Sequence, residues 1–262
     1  GLKMVLDMHC APGFHFIDRV KDPDAVPALL RDPGIRERWY ELWAALARRY
    51  RGLADHVACI LPFEEEYFRQ RGVNATYVGH PLFDTLPPQR TAEQCPDLID
   101  AWRNGCWRIA LLPGSRPAEI QGHAAPMVNT ADVILHCWPK AECTFSAVTE
   151  QAADLIRSST GRNDLDIAVG RMKDVLAESH FAIAASGTVT LEVAHFGVPM
   201  VILHHVRAFE RFMYTLIGRR LIHTKHLSLV NILAGRRIVP ELMPWYGNEK
   251  QLQDAVMLCM SD

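Results

Sequence analysis

The stretch that decides the fold is residues 181–203, FAIAASGTVTLEVAHFGVPMVIL. The five apolar residues FAIAA have the length and character of a buried strand, and VPMVIL at 198–203 has the same character. Between them a helical pattern covers 188–196, directly after three small residues. A strand, a helix and a second strand, each short and apolar, predict a βαβ unit with two parallel strands.

The same alternation covers most of the second half of the chain. It predicts an α/β fold with a doubly wound, Rossmann-like parallel sheet. The further predicted strands are WRIALL (107–112), CTFSAV (143–148) and DIAV (166–169), and the further predicted helices lie near 123–137, 149–157, 171–178 and 207–220.

The first part of the chain is predicted to be a partial α/β portion, residues 1–83. It has predicted strands at 2–8, in HVACIL (56–61) and in ATYVGHPLFD, and predicted helices at 35–51 and from Pro62 in PFEEEYFRQRG. The polar, proline-bearing stretch 84–106 is predicted as a linker, and 107–262 as a second domain.

Composition excludes several classes of protein. The chain has 262 residues and a formal net charge of −2, which argues against a bulk nucleic-acid binder. Seven cysteines without a Cys-x-x-Cys pair suit free thiols in a reducing compartment. Because no apolar run has the length of a membrane span, we expect a soluble, cytoplasmic protein. The abrupt first and last residues suggest a fragment of a longer chain.

Ligands of doubly wound sheets bind beyond the carboxyl ends of the strands, and two loops there carry suitable residues. In the first loop, Ser186, Gly187 and Thr188 precede a predicted helix, where hydroxyls and unpaired amides suit a phosphate. Glu192 follows one turn later on the same face and suits a pair of sugar hydroxyls, as on a ribose. The alternative is an ordinary helix cap followed by a surface glutamate.

The second loop, LLPGSRPAEI, places Gly114, Ser115 and Arg116 directly after a predicted strand. The glycine permits close approach to the backbone, and the arginine offers donors to a phosphate or to an anionic leaving group. Alternatively, Glu119 or Glu192 is a structural ion partner of Arg116. Neither loop matches the dinucleotide fingerprint or the Walker phosphate loop, so NAD and ATP are poor candidates.

A third stretch, SLVNILAGRRIVPEL, contains Asn231 and a basic pair. By itself it is most simply a turn with a charged surface. The histidine pairs, including His204-His205, have no third ligand in sight, so we expect no metal.

Together these motifs carry a resemblance to a known family. The stretches ILPFEEEYFRQRGVNATYVGHPLFD, LLPGSRPAEI, ASGTVTLEVAHFGVPMV and LSLVNILAGRRIVPEL resemble lipid-A-disaccharide synthase, in order and in register from about 53 to 242. That resemblance implies a glycosyltransferase of the two-Rossmann GT-B type, of which 107–262 would be the UDP-sugar-binding half. The implied reaction transfers 2,3-diacylglucosamine from UDP to 2,3-diacylglucosamine 1-phosphate, with inversion and without metal or cofactor.

The resemblance also implies roles for individual residues. Ser186, Gly187 and Thr188 would hold the diphosphate and Glu192 the ribose, while Arg116 and Asn231 would bind the donor or stabilise the leaving group. The implied partners are a UDP-diacylglucosamine donor and a lipid acceptor. A peripheral position at the inner membrane and a homodimer both stay open.

The chain departs from the family pattern near its start. In HCAPGFHF, Cys10 stands where the family has an aspartate that is a candidate general base, and a thiol is a poor base at neutral pH. Asp7 is therefore the candidate catalytic base, with His9 as the alternative. Two alternatives remain open, a UDP-sugar-binding module without turnover and a UDP-N-acetylglucosamine epimerase-like enzyme.

Overall fold

The structure, a computed structural model, describes residues 56–70, 72–89, 97–205 and 226–261. The chain divides into two compact units, Gly1–Leu86 and Pro87–Asp262. The strand predicted at 2–8 and the helices predicted at 35–51 and 207–220 lie outside the described residues. The domain limits inferred from the sequence stay a prediction.

The described part of the first unit is a small βαβ arrangement. Strands β1 and β2 pair in parallel, and a small core lies between them and the first helix, formed by Cys59, Phe68, Val73 and Ala75. The elements are β1 (Val57–Cys59), α1 (Pro62–Arg69), β2 (Ala75–Tyr77) and α2 (Leu82–Thr85). Both strands and the helix at Pro62 follow the sequence prediction.

The described residues of the second unit form one sheet and seven helices. Its strands are β3 (Arg108–Leu112), β4 (Glu142–Ala147), β5 (Asp166–Val169), β6 (Phe181–Ala185), β7 (Met200–His205) and β8 (Glu241–Trp245). The helices are α3 (Leu98–Asn104), α4 (Pro117–Cys137), α5 (Glu150–Thr160), α6 (Met172–Glu178), α7 (Val189–His195), α8 (Leu229–Ala234) and α9 (Glu249–Ser261).

The sheet has the strand order of a Rossmann fold. All its pairings are parallel and the order is β5-β4-β3-β6-β7-β8. Counted from one within this sheet, that order is 3-2-1-4-5-6, which confirms the predicted doubly wound α/β class. The order reverses between β3 and β6, so the crevice that binds ligands in such folds lies beyond these two strands.

The central strands are buried on both faces. All five residues of β6 are buried, and in β3 the consecutive residues Ile109 to Leu112 are each at most 3% exposed. Because neighbouring side chains of a strand point to opposite faces, burial of consecutive residues requires cover on both sides. This explains the unbroken apolar runs from which the sequence predicted buried strands.

Five elements differ from the prediction. Residues Leu82–Thr85, partly within the predicted strand ATYVGHPLFD, form helix α2. Residues Leu98–Asn104, within the predicted linker 84–106, form helix α3, which the Asp97 side chain caps.

The other three differences also have a local cause. Helix α4 begins at Pro117 rather than near 123, since a proline suits the first helical position and Glu119 accepts from the Arg116 amide. The turn predicted around Asn231 is helix α8, which Ser228 caps. Strand β8 was not predicted, because Pro244 interrupts its pattern; an edge strand tolerates this proline.

Candidate functional site

The two loops identified in the sequence follow neighbouring strands. Leu112 at the end of β3 pairs with Ala184 near the end of β6, so Gly114-Ser115-Arg116 and Ser186-Gly187-Thr188 emerge from adjacent strands of one edge. This edge is the point where the strand order reverses. The prediction that both loops lie at one edge of the sheet is therefore confirmed.

The Ser186-Gly187-Thr188 turn presents open backbone. Gly187 is exposed with φ of +140°, and a Cβ added to it would meet no atom within 4 Å. Within the described part of the chain, the amides of Gly187, Thr188 and Val189 donate to no protein acceptor. The helix that follows has only seven residues, so any anion affinity here belongs to the turn's amides and hydroxyls rather than to a helix dipole.

The Gly114-Ser115-Arg116 turn is closed by its own glutamate. Glu119 Oε2 accepts from the amides of Ser115 and Arg116, both at 3.2 Å. Gly114 has φ of +106°, and a Cβ there would lie 2.5 Å from Glu119 Oε2 and 2.7 Å from Glu119 Cβ. The close approach that the glycine permits is therefore made by Glu119 and not left open for a ligand.

The Arg116 guanidinium is the accessible part of this loop. Its side chain is 61% exposed and forms an ion pair with Glu119 Oε1 at 3.3 Å, which is the structural pairing that the sequence left open as an alternative. A surface ion pair of this kind contributes about 0–1 kcal/mol. Because most of its side chain is exposed, the Arg116 guanidinium is accessible to a bound phosphate.

Glu192 lies in the first turn of α7, half-buried. Burial raises the pKa of its carboxyl above the ordinary value, and the charge of Lys173 in the first turn of α6 offsets this only in part. Lys173 therefore favours the ionised carboxylate, which is the form that accepts hydrogen bonds in pairs. Lys173 could not be identified from the sequence, because its nearness to Glu192 depends on where α6 and α7 lie in the folded domain.

The structure does not bring Asn231 to an open surface. Its side chain is fully buried, and its amide donates to Val239 O at 2.9 Å and to Glu241 Oε2 at 3.0 Å. Its Oδ1 accepts from the amides of Ile238 and Val239 at 2.8 and 3.1 Å. All four hydrogen-bonding positions of the side chain are thus used. Helix α8, which carries Asn231, packs against α7. Asn231 therefore stabilises an element next to the site and does not line its open surface.

Three histidines that the sequence left without a role lie behind the two loops. His204 Nδ1 is 2.8 Å from Ser186 Oγ. His123 Nδ1 is 2.8 Å from Pro113 O, and the His205 amide donates to His123 Nε2 at 3.0 Å. The available signal was a histidine pair at the end of an apolar strand. The contact of His205 with His123, 82 positions earlier in the chain, could not be predicted from it.

The remaining sequence-based predictions have no test at this site. Asp7 and Cys10 lie outside the described residues, so the identity of the general base stays a prediction. Among the residues that the structure describes, no group of three or more histidine, cysteine, aspartate or glutamate side chains could hold a metal ion. No described helix is long and apolar enough to cross a membrane.

Fold and loops together define a class of protein, a Rossmann-like domain with a turn suited to phosphate at its switch point. The family model described as Lipid-A-disaccharide synthetase matches residues 41–262. The chain belongs to this family, in agreement with the resemblance of its motifs.

Individual relatives show the same relationship. The lipid-A-disaccharide synthase of Idiomarina loihiensis is 31% identical over 242 residues, which are 88% of this chain and 62% of the relative. That of Syntrophus aciditrophicus is 30% identical over 223 residues, 83% of this chain and 57% of the relative. The chain thus spans about three fifths of the length of these curated relatives.

Among solved structures, the glycosyltransferase WaaG, involved in lipopolysaccharide biosynthesis, has a TM-score of 0.39 and 13% sequence identity. The match covers 79% of this chain and 54% of the WaaG chain. A similarity at this level carries no argument about function.

Proposed function

We propose that residues 107–262 bind the UDP-sugar donor of a glycosyltransferase reaction that forms the lipid A disaccharide. The observation that carries the proposal is the placement of the Arg116 loop and the Ser186-Gly187-Thr188 turn on adjacent strands, at the switch point of a Rossmann-order sheet. Membership of the lipid-A-disaccharide synthetase family supports the choice of nucleotide and of reaction.

In this proposal each part of the donor has a matching group. The open amides and hydroxyls of the Ser186-Gly187-Thr188 turn receive the diphosphate, and Glu192 receives the ribose diol. Arg116 exchanges its surface pairing with Glu119 for the diphosphate. Departure of UDP places negative charge on the β-phosphate, which Arg116 and the turn's amides stabilise. Asn231 stabilises helix α8, which packs against α7, and makes no direct contact with the donor.

The acceptor side of the proposal rests on family membership alone. The acceptor is a lipid, 2,3-diacylglucosamine 1-phosphate, and the transferred unit is 2,3-diacylglucosamine. Work at such a lipid suggests a peripheral position on the cytoplasmic side of the inner membrane. Asp7 is the proposed general base.

The proposal predicts that the chain distinguishes UDP from 2′-deoxy-UDP through Glu192. We expect wild type to bind UDP at least about tenfold more tightly than 2′-deoxy-UDP, because a hydrogen bond to a charged group contributes about 1.5–3 kcal/mol. Glu192→Gln should lose this preference, because its affinity for UDP falls while its affinity for 2′-deoxy-UDP stays the same. Isothermal titration of both nucleotides measures the difference.

Glu178→Gln is the matched control, because Glu178 is an exposed glutamate at the last residue of α6. It should retain the wild-type preference. Absence of any UDP binding by wild type would overturn the proposed function, and an unchanged preference in Glu192→Gln would remove Glu192 from the ribose site.

The two glycines are expected to respond differently to alanine. Both have positive φ, so each substitution strains the backbone by about 1–3 kcal/mol. Gly114→Ala also collides with Glu119 and should show the larger loss of unfolding free energy. Gly187→Ala places its methyl in open space beside the turn and should lower UDP affinity about tenfold, through a lost hydrogen bond to phosphate.

Urea unfolding and UDP titration of both variants test this contrast. Unchanged UDP affinity in Gly187→Ala would contradict the assignment of the diphosphate to the Ser186-Gly187-Thr188 turn. Greater destabilisation by Gly187→Ala would contradict the role given to Glu119.

A UDP-sugar-binding module without turnover predicts the same binding results. A turnover assay with UDP-diacylglucosamine and acceptor lipid separates the two. Release of UDP only when the acceptor is present supports transfer, and tight binding without release supports the module.

A further inference from the structure

The last two residues of β7 connect to both loops of the site. His204 contacts Ser186 in one loop, with 2.8 Å between Nδ1 and Oγ. The His205 amide donates to His123, whose other ring nitrogen lies 2.8 Å from the Pro113 carbonyl at the start of the other loop. Two hydrogen-bonded paths therefore run from the end of one strand to the two loops.

The geometry fixes the protonation of His123. A backbone amide can only donate, so His123 Nε2 must accept from His205 and Nδ1 must carry the proton that is donated to Pro113 O. Burial lowers the pKa of His123 to about 4, which keeps this neutral tautomer at neutral pH. Gly122 lets α4 approach closely enough, since a Cβ there would lie 3.1 Å from His205 Nδ1.

For His204 the contact with Ser186 allows two arrangements. In one, the Ser186 hydroxyl donates to His204 Nδ1 and turns only oxygen lone pairs outward, which repel an anion. In the other, His204 Nδ1–H donates to Ser186 Oγ, and the hydroxyl proton is left to donate elsewhere. Only the second arrangement gives a phosphate oxygen a donor at this position.

We propose that His204 is a positioning residue for the diphosphate, which donates through Nδ1–H to Ser186 Oγ and so directs the Ser186 hydroxyl proton to a phosphate oxygen. The inference rests on the proposed function, because it requires a nucleoside diphosphate at the Ser186-Gly187-Thr188 turn. No covalent step is involved, and His204 acts only through Ser186.

Binding of UDP and of uridine to three variants tests the chain of donors. His204→Ala and Ser186→Ala should each lower the affinity for UDP about tenfold, which is the effect of losing one hydrogen bond to a charged group. The double variant should lose no more affinity for UDP than either single variant, since the two substitutions remove the same contact with the phosphate. Uridine has no phosphate, so its weaker binding should be unchanged in all three variants.

His204→Asn is the conservative variant that separates positioning from packing. Its side-chain amide can present an N–H close to the place of Nδ1–H, so UDP affinity should return to within about threefold of wild type. If His204→Asn binds UDP as weakly as His204→Ala while unfolding at the wild-type urea concentration, the positioning role is wrong.

Nitrogen-15 NMR of the wild-type imidazoles gives a readout that a purely structural role would not move. In the UDP complex, His204 is expected to show a protonated Nδ1, with the resonance assigned by its loss in His204→Asn. An unprotonated Nδ1 in the UDP complex would overturn the inference. Wild type that binds no UDP would overturn the proposed function, whereas UDP binding that His204→Ala leaves unchanged would overturn only this inference.

Discussion

Replacing Asn231 by aspartate is expected to lower the free energy of unfolding by about 3–5 kcal/mol at neutral pH, the usual effect of an uncompensated buried charge. Asn231 is fully buried, and its Nδ2 donates to Glu241 Oε2 and to Val239 O at 3.0 and 2.9 Å. Aspartate has almost the same shape but puts an oxygen in place of that nitrogen. Both donor contacts then become contacts between two acceptors, one of them between two carboxylates.

The loss of unfolding free energy in Asn231→Asp should become smaller as the pH falls. Wild-type Glu241 is held ionised, because burial raises its pKa but hydrogen bonds from Ser228, Asn231 and Leu227 outweigh it and lower the pKa. In Asn231→Asp the two facing carboxyls share a proton more readily in the folded state than when unfolded, so their folded pKa is raised. A raised folded pKa gives stability that is present at low pH and lost as the pH rises.

Asn231→Ala is the matched control, since it removes the same four hydrogen bonds without adding a charge. We expect it to lose about 2–3 kcal/mol, with a deficit against wild type that does not shrink between pH 7.5 and pH 5. Urea unfolding followed by tryptophan fluorescence measures both variants, because Trp245 is buried in β8, the strand that begins with Glu241. Equal stability of the two variants at pH 7.5 would contradict the argument.

Most of the second unit could be predicted from the sequence because its central strands are buried on both faces. Such strands appear as unbroken apolar runs, and FAIAA at 181–185 coincides with β6, whose five residues are all buried. The βαβ alternation then predicts parallel pairing and places both loops at one edge. Edge strand β8 lacked that signal, because an edge strand is less buried and Pro244 breaks its pattern.

For the candidate site, the positions of the residues could be predicted from the sequence but their contacts could not. Residues in turns directly after strands could be located, since the topology alone fixes where such turns emerge. What the side chains of those turns contact could not be predicted. Glu119 folds back onto its own loop and Asn231 turns inward to Glu241, although both were polar residues in motifs that suggested binding.

The histidines were missed for a related reason. Each contact of His123, His204 and His205 joins residues between 10 and 82 positions apart. Sequence patterns carry information about neighbours on one helix or strand, whereas these contacts depend on the register between β6 and β7 and on the packing of α4. The three histidines that contact the loops could therefore be identified only from the structure, whereas the loop residues themselves could be identified from the sequence.

His123 should make the protein progressively less stable in acid. Burial, together with the neighbouring His204 and His205, lowers its pKa from 6.5 to about 4 against the opposing hydrogen bond to Pro113. A folded pKa below the unfolded value gives stability that is complete above pH 6.5 and is lost as the pH falls toward 4. The size of this shift corresponds to about 3 kcal/mol.

His123→Leu is expected to remove this part of the pH dependence. At pH 7.5 the variant should be about 2 kcal/mol less stable than wild type, since the Pro113 carbonyl and the His205 amide lose their partner. Toward pH 4.5 the difference should close, because wild type then loses stability that the variant never had. His180, whose pKa burial and Arg108 also lower, is present in both proteins, so its contribution cancels in the comparison.

Urea unfolding at a series of pH values between 4.5 and 7.5 measures the difference, with His136→Leu as the control. His136 is an exposed histidine in the last turn of the same helix, so its replacement removes a titrating group without removing a buried hydrogen bond. We expect the His136→Leu curve to run parallel to wild type and the His123→Leu curve to converge with it in acid. Convergence would show that the contact joining β7 to the Pro113 loop requires a neutral imidazole, whereas parallel curves for all three proteins would contradict the tautomer assigned to His123.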